Sequence, residues 1–221
     1  MIRLTITLLT LLSITSSSKF HPPNIHGTWQ TQSQSVITGP KFFQPDKEYL
    51  IEPTQPGLSY SFDLESMTYE TAQYLVTANP QNHSCPSAEL IWHHGKIKIK
   101  PHRDQKGKGK KNNKKKNKKS KADNDGQFTI LLESIPHDSR QLLSDPCVDE
   151  GTSTYQRYKC DYKQTWSGVY QYDKYVDNWS LILYDEFGES GRKVWMWLKS
   201  RDVEMLPRGR ITKKKKVYVD V

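Results

Sequence analysis

Short strand-like runs separated by turn signals fill the chain from residue 28 to residue 200, and they constrain the fold more than any other feature. Runs rich in β-branched and aromatic residues that recur every roughly 8–12 residues are typical of antiparallel sheets. The sequence therefore predicts an all-β fold, a single antiparallel β-barrel or sandwich domain. The predicted strands cover residues 28–38, 48–52, 59–63, 68–78, 88–93, 96–100, 127–133, 141–144, 154–166, 168–174, 179–187 and 193–200.

Turn signals and face patterns refine this prediction. The dipeptide His94-Gly95 indicates a turn between two strands. Residues 179–184 and 194–198 alternate with a period of two but carry apolar side chains on both faces, as in a strand covered on both sides or in a barrel wall. One short helix is predicted near residues 139–144, where a strand-like run also lies.

The tripeptide Gly27-Thr28-Trp29 stands at the start of the first predicted strand. It resembles the entry strand of lipocalin-like barrels, in which glycine permits a tight turn and tryptophan fills the base of the barrel. A core tryptophan at the start of any strand explains the same pattern. A lipocalin-like barrel is therefore one form of the predicted fold, and a small-ligand carrier is an alternative function.

Residues 101–126 interrupt the strand pattern with a lysine-rich insert. Ten of the 33 Lys+Arg lie between Lys106 and Lys121 without an intervening acid, and they account for the net charge of +9. The remaining 23 basic and 24 acidic residues nearly cancel. Because like charges repel and the insert has little to bury, it predicts a disordered loop between adjacent strands. It lacks aromatic residues for base stacking, so we expect contacts with acidic clients or lipid headgroups and no nucleic-acid partner.

The N-terminus is typical of a secretory signal peptide. Arg3 precedes an apolar stretch at residues 4–12, and small residues follow at 16–18. No later stretch approaches the ~20 apolar residues that a membrane span needs, so the sequence predicts a soluble product of the secretory pathway. The predicted organisation is a signal peptide at 1–18, a β-domain at 19–207 containing the insert, and a basic tail at 208–221.

Two sequons and three cysteines agree with this compartment. Asn82 and Asn178 each begin an Asn-x-Ser sequon and are predicted glycosylation sites, although Asn178 also suits a turn before a strand. In an oxidising lumen most cysteines pair. Cys85 and Cys147 both lie beside a proline in loop-like contexts, whereas Cys160 lies in a strand-like run. We therefore expect a Cys85–Cys147 disulfide and a free Cys160.

The sequence carries no motif for catalysis, metal binding or a cofactor, and none of the three is predicted. His93 and His94 are adjacent, so in a strand they point to opposite faces and do not form a zinc site. The acidic residues have no spacing that indicates a pair of catalytic carboxylates. The segment 145–151 is typical of a turn whose aspartates bind backbone N–H groups.

Four segments are more specific than these general signals. They are residues 50–62 (LIEPTQPGLSYSF), the pairs Asn79-Pro80 and Cys85-Pro86, residues 140–147 (RQLLSDPC) and residues 151–158 (GTSTYQRY). In this order and spacing they resemble the fungal Rot-one family (reversal of TOR lethality). The resemblance runs from residue 27 to residue 157, continues more weakly to residue 207, and skips the lysine-rich insert.

The resemblance implies a lumenal chaperone of the endoplasmic reticulum, not an enzyme, that assists the folding of secretory and cell-wall proteins. It implies that normal cell-wall β-1,6-glucan depends on the protein, and a glucan-binding or glucan-processing protein is the remaining alternative. Expected partners are unfolded or maturing secretory proteins and other lumenal chaperones. The two family cysteines fall on Cys85 and Cys147. Family members are glycosylated type I membrane proteins with one C-terminal span, and this sequence departs from them in showing no such span.

A chaperone that recognises unfolded chains needs exposed apolar or aromatic side chains. Ordinary packing in the β-core is the alternative role for each aromatic residue. The residues predicted for such a client surface are Tyr69, Tyr74, Trp92, Tyr170, Tyr172 and Tyr175.

Overall fold

The computed structural model describes residues 20–102, 127–145, 147, 153–157, 163–185 and 192–212, with the backbone alone for 153–157. The regular secondary structure of these residues consists of β-strands, as expected for the predicted all-β fold. The strands are β1 (Gly27–Gln30), β2 (Phe43–Gln44), β3 (Tyr49–Leu50), β4 (Gly57–Asp63), β5 (Thr68–Thr77), β6 (Ser87–Pro101), β7 (Gln127–Ser134), β8 (Arg140–Ser144), β9 (Ser153–Arg157), β10 (Lys163–Asp173), β11 (Asn178–Asp185) and β12 (Lys193–Ser200).

Eight of the strands close into an antiparallel barrel, which confirms the predicted all-β single-barrel fold. They follow the order β5, β4, β1, β12, β11, β10, β7, β6, and the pairing of β6 with β5 completes the ring. The first strand therefore pairs with the last, with Trp29 opposite Leu198. Closure leaves these strands without free edges, which would otherwise be templates for aggregation.

Strand β6 is the longest of the strands, and the sequence divides it wrongly. The predicted boundary between strands at residue 167 is wrong as well, because that residue lies within β10. The predicted turn at His94-Gly95 is wrong, because both residues continue β6. At Gly95 the strand pairs with β5 on one side and β7 on the other. A Cβ atom on Gly95 would lie 2.6 Å from the Cα of Ser134, so glycine here permits a close approach of two strands.

The helix predicted near residues 139–144 is also wrong. Arg140–Ser144 forms β8, which pairs with the first half of β6 and with β9. Strands β8 and β9 thus extend the sheet outside the closed ring. Strand pairing overrides the weak local preference of this short segment.

The barrel interior is filled by apolar side chains, and Trp29 lies among them. Its Nε1 donates a hydrogen bond to the backbone oxygen of Ile25 at 2.8 Å. Gly27 has a φ of +122°, a conformation that favours glycine, and it lets the chain turn into β1. The buried core residues are Ile25, Trp29, Leu58, Tyr60, Phe62, Tyr69, Ile97, Phe128, Ile130, Leu132, Trp166, Leu181, Leu183, Val194 and Met196.

A second apolar cluster covers the outside of β5 and β6. Here the hairpin of β2 and β3 and the segment 201–212, which follows β12, pack against the barrel wall. Ring centroids of Phe43 and Trp92 lie 4.4 Å apart. The cluster comprises Val36, Phe42, Phe43, Leu50, Ala72, Tyr74, Leu90, Trp92 and Leu206. We refer to residues 31–56 and 201–212 as the outer layer.

The lysine-rich insert connects β6 to β7, which are neighbours in the sheet. Their ladder ends with Pro101 opposite Phe128, next to the two ends of the insert. The predicted adjacency of the flanking strands is therefore confirmed. Residues 103–126 themselves, the predicted signal peptide, Cys160 and residues 213–221 lie outside the described residues.

Candidate functional site

Three of the aromatic residues predicted for a client surface are buried, so for them the prediction is wrong. Tyr69 points into the barrel, where its hydroxyl lies 3.2 Å from Nδ1 of His93. Trp92 points outward, but the outer layer covers it completely. Tyr74 lies beside it and donates a hydrogen bond to Glu52 at 2.6 Å. Burial and this bond raise the pKa of Tyr74 to about 12.

The other three predicted residues lie together on the hairpin of β10 and β11. Tyr170 is half-buried near the barrel core, Tyr172 is exposed, and Tyr175 in the turn is fully exposed. Residues two apart on a strand share a face, so Tyr170 and Tyr172 point to the same side. The structure thus brings these three into one region of the surface and leaves the buried three elsewhere.

Two further members of this region, Trp179 and Val176, are not among the residues predicted from the sequence. Trp179 stands opposite Tyr172 in the β10–β11 ladder, and its ring stacks on Tyr170 with centroids 4.6 Å apart and planes 2° apart. The sequence does contain a signal for the position of Trp179. A turn centred on residues 174–177 sets the register of β10 and β11 and so places Trp179 opposite Tyr172. We call the exposed residues Tyr172, Tyr175, Val176 and Trp179 the hairpin aromatic surface.

The turn of the hairpin holds these side chains outward. Oδ1 of Asp173 accepts hydrogen bonds from the backbone N–H groups of Tyr175 at 3.0 Å and Val176 at 3.4 Å. Asp177 has a φ of 55°, and its carboxylate accepts a hydrogen bond from the Tyr172 hydroxyl. Such aspartate-closed turns fix the backbone without covering the side chains. Rigid rings with polar edges can contact apolar side chains of another polypeptide and bond its backbone.

Buried polar groups elsewhere fasten the outer layer to the barrel. The Glu70 carboxylate accepts hydrogen bonds from the backbone N–H groups of Gly39 and Leu206, one from each part of the layer. Burial raises the pKa of Glu70 above its ordinary value, although these two bonds oppose the shift. Glu70 therefore ties residues distant in sequence to one point of β5.

Asp138 fastens the end of the outer layer. Its carboxylate lies 2.7 Å from Nε2 of His94 and accepts hydrogen bonds from the backbone N–H groups of Ile211 and Thr212. Burial alone would raise the pKa of Asp138, but the bonds from His94, Thr212 and Ile211 outweigh it and lower the pKa to about 2. The chain is thus held to the domain through Thr212, beyond the boundary predicted at residue 207.

His94 and Asp138 contact each other, and the carboxylates of Glu70 and Asp138 accept hydrogen bonds from the backbone. Among the described residues, no group of three or more His, Cys, Asp or Glu side chains is arranged to hold a metal ion. Their geometry explains how the layer is attached to the barrel. The exposed hairpin aromatic surface is the better candidate for binding.

Lowering the pH should destabilise the fold through His93. Burial first, and the neighbouring His94 second, lower the pKa of His93 from 6.5 to about 3. Below pH 6.5 the His93 imidazole is protonated in the unfolded chain but stays neutral in the folded chain. The free energy of unfolding therefore falls as the pH decreases toward 3. The expected slope is about 1.4 kcal/mol per pH unit within this window. Urea unfolding at pH 7, 6, 5 and 4 would measure the slope.

The matched variants for this test are His93→Gln and His83→Gln. His93→Gln should remove most of that slope, because glutamine does not titrate. His83 lies in an exposed turn, and its replacement should leave the slope unchanged. An equal pH dependence in His93→Gln and the unmodified chain would contradict the assignment.

Cys85 and Cys147 form a disulfide with a Cα–Cα distance of 5.6 Å. The β6–β8 ladder ends with Ala88 opposite Ser144, and each cysteine lies three residues beyond that pair. The disulfide therefore continues the ladder register past its last hydrogen bond. It fixes the outer pair of strands to the barrel.

The two predicted glycosylation sites have different surroundings. Asn82 lies in an exposed turn, where its side chain accepts a hydrogen bond from the backbone of Ser84. Asn178 is partly buried at the start of β11, and its amide donates a hydrogen bond to the backbone oxygen of Leu198 at 2.7 Å. The exposed turn is the more accessible of the two positions.

The part of the chain that the structure describes contains no helix long and apolar enough to cross a membrane.

Comparison with known proteins agrees with the motifs identified in the sequence. A family model for Rot1, described as a fungal chaperone for protein folding within the endoplasmic reticulum, matches residues 25–106 and 116–218. No solved structure matches the chain.

Three relatives illustrate the extent of the similarity, and each is named Protein ROT1. The protein of Saccharomyces cerevisiae is 39% identical over 186 residues, which are 83% of this chain and 60% of the relative. That of Kluyveromyces lactis is 40% identical over 75% of this chain and 57% of the relative. That of Lodderomyces elongisporus is 38% identical over 79% and 59%, respectively.

The chain thus spans about 60% of the length of these three relatives. The matched residues include the barrel strands, the outer layer and both disulfide cysteines. By its motifs and these matches, the chain belongs to the fungal Rot1 family of chaperones for protein folding within the endoplasmic reticulum.

Proposed function

We propose that this protein is a chaperone of the endoplasmic reticulum lumen that binds unfolded or maturing secretory chains through its hairpin aromatic surface. One observation carries the proposal. On the hairpin of β10 and β11, four side chains are exposed: Tyr172 by 46%, Tyr175 by 102%, Val176 by 52% and Trp179 by 37%. Contiguous exposed apolar side chains on a soluble domain mark interaction sites.

The geometry suits weak binding of many different chains. Trp179 stacks on Tyr170, which also lies edge-on to the core residue Trp29 with ring centroids 6.0 Å apart. The exposed rings therefore stand on a rigid base and lose little conformational entropy on binding. A shallow aromatic surface selects apolar character without selecting a sequence, and the client can leave without a nucleotide-driven step.

Membership of the family indicates where in the cell this surface would act and on which proteins. Clients would be secretory and cell-wall proteins, and other lumenal chaperones would act beside it. Dependence of β-1,6-glucan on the protein would then follow from the folding of the proteins that build the polymer. The proposal includes no catalytic step. Glycosylation at Asn82 and Asn178 and a type I membrane tether, as the family implies, belong to the same proposal.

The barrel interior gives little support to the alternative of a small-ligand carrier. Core side chains such as Trp29, Phe62 and Trp166 fill the axis of the barrel. A cavity of about 160 Å³ lies at the mouth beside Gln73 and His93. Ligand sites usually enclose ~300 Å³ or more. The exposed hairpin is therefore the better-supported site.

The proposal predicts that removing the exposed rings weakens protection of an unfolded client. The double variant Tyr172→Ser/Tyr175→Ser removes the two most exposed aromatic rings of the surface. We expect at least five times more of this variant to be needed to halve light scattering from a thermally unfolded client. The measurement is aggregation at fixed client concentration with increasing amounts of the full chain.

Tyr49→Ser provides the matched control. Tyr49 is 58% exposed on β3, so it has a similar ring and exposure at another place on the surface. Its removal should leave protection unchanged. The proposal fails if the unmodified chain gives no protection, or if Tyr49→Ser loses as much as the double variant.

A further inference from the structure

An exposed row of lysines runs along the second half of β6, on the outside of the barrel. Lys96, Lys98 and Lys100 alternate with Ile97 and Ile99, which pack on the core. Residues two apart on a strand share a face, so the three lysine side chains project from the same side of the sheet. At ~3.4 Å per residue, successive lysines lie about 7 Å apart along the strand. We call these three residues the lysine row.

Neighbouring strands leave most of this positive charge uncompensated. The β7 residues opposite Lys98 and Lys100 are uncharged. Glu133, opposite Lys96, forms an ion pair with Lys163 of β10 at 3.1 Å. The bond with Lys163 first, and the charges of Lys98 and Lys96 after it, lower the pKa of Glu133. This carboxylate therefore stays ionised and offsets one of the four positive charges, so the face as a whole is basic.

Aliphatic side chains border the lysine row on both sides. Leu131 of β7 is partly exposed opposite Lys98. On the other side, the backbone oxygen of Met67 accepts a hydrogen bond from the N–H group of Ile97 at 3.0 Å, and the Met67 side chain is exposed. A shallow depression of about 160 Å³ lies between the row and Lys163. The face thus offers cations beside aliphatic surface, which suits a polypeptide better than a polyphosphate.

We propose that the lysine row binds an extended acidic segment of a client polypeptide. Alternate side chains of an extended chain lie about 7 Å apart on one face, so carboxylates at every second position match the spacing of the lysines. Opposite charges arranged in this way speed the encounter and select the partner. A membrane surface is the poorer match, because the cations form a single line and the bordering side chains are not the aromatic residues typical of membrane interfaces.

The lysine row lies within reach of a chain bound at the hairpin aromatic surface. Through Thr129 of β7, Lys100 is level with Ser167 of β10, and Tyr172 lies five residues farther along β10. At ~3.4 Å per residue and ~4.8 Å per strand, the separation is about 20 Å. About six residues of extended chain cover that distance. In this respect the inference rests on the proposed function, and it adds a second criterion for clients, namely acidic residues near the apolar segment.

Further lysines adjoin both ends of the row in the sequence. The lysine-rich insert follows the end at Lys100. The other end follows His94, whose partner Asp138 also accepts hydrogen bonds from Thr212, and residues 213–216 are all lysine. The row differs from these segments because its lysines are fixed on a strand of the barrel. Substitution can therefore separate a spaced binding site from a general attraction of negative charge.

Binding of acidic peptides to the full chain tests the proposal. One fluorescent octapeptide has glutamate at every second position with serine between, and the other has the same composition with its glutamates consecutive. Anisotropy at low salt should show saturable binding, at least threefold tighter for the alternating peptide. The variant Lys96→Gln/Lys98→Gln/Lys100→Gln should weaken that binding at least tenfold, because three exposed ion pairs are lost together. All three side chains are exposed, so the variant should fold, which circular dichroism checks.

Two control variants separate the lysine row from net charge and from the aromatic site. Lys114→Gln/Lys115→Gln/Lys116→Gln removes the same charge from the insert and should change the affinity less than twofold. Tyr172→Ser/Tyr175→Ser should leave binding of both peptides unchanged, because the peptides carry no apolar side chain. Failure of the lysine row therefore appears in peptide binding, whereas failure of the aromatic site appears in protection of the unfolded client.

Four results would overturn the proposal. The first is absence of binding by either peptide. The second is equal weakening in the row variant and the insert variant, which would reduce the effect to net charge. The third is equal affinity for the two peptides, which would remove the match in spacing. The fourth is displacement of the alternating peptide by anionic phospholipid vesicles and not by an excess of the same peptide without label, which would assign the face to a membrane.

Discussion

Glu48→Ala should destabilise the protein by about 3–5 kcal/mol, because it leaves a buried charge without a partner. The Arg140 side chain is fully buried, and its Nε and Nη2 donate hydrogen bonds to the two carboxylate oxygens of Glu48 at 2.6 and 2.9 Å. Nη1 donates to the backbone oxygen of Ser139, and the ring of Phe43 lies 6.0 Å away. The pair joins β8 to the outer layer. Urea unfolding followed by tryptophan fluorescence measures the loss.

Two comparisons isolate the buried charge as the cause. The double variant Glu48→Leu/Arg140→Met removes both charges and should recover most of the lost stability. Lys41→Met breaks the exposed pair of Lys41 and Glu204, whose N–O distance is 3.5 Å, and should cost less than about 1 kcal/mol. A loss in Glu48→Ala no larger than that in Lys41→Met would refute the account.

Removal of the Cys85–Cys147 disulfide should cost about 4 kcal/mol. The bond closes a loop with a sequence separation of 62, and opening it increases the conformational entropy of the unfolded chain. Cys85→Ser should therefore unfold at a markedly lower urea concentration. The comparison belongs in a Cys160→Ser background, which prevents Cys147 from pairing with Cys160.

The double variant Cys85→Ser/Cys147→Ser is the control for the bond itself. It should match Cys85→Ser within about 0.5 kcal/mol, because the second substitution removes nothing more from the fold. Alkylation of the native chain without reduction, followed by mass spectrometry, should label Cys160 and neither partner. Labelling of Cys85 would show that the pairing is wrong.

The fold class was predictable because the information lies in local patterns. Alternation in residues 194–198 and the two apolar faces of residues 179–184 match β12 and β11 in the barrel wall. The continuation of β6 through Gly95 was not predictable in this way. Glycine there serves a close approach of β7, a contact between segments far apart in sequence, and a local pattern cannot distinguish this from a turn.

The candidate site was predictable in part for the same reason. Tyr170 and Tyr172 share a strand face with a turn close behind, and these local relations place them together. Trp92 looks similar by local criteria, since it too is an aromatic residue within a strand. Its burial depends on the outer layer, whose residues come from both ends of the domain. Whether an outward-facing aromatic residue is covered depends on such distant segments.

Barrel closure by β1 and β12 also has a consequence for biosynthesis. During vectorial synthesis β1 emerges from the ribosome long before its partner, and at 5–20 residues per second the interval is roughly 10–35 s. Throughout that time the edge of β1 that pairs with β12 is unmatched, and Glu70, once it is made, lacks its hydrogen bond from Leu206. The nascent protein therefore passes through an unprotected, aggregation-prone stage. In this fold the barrel can close only after the last of its strands has been made.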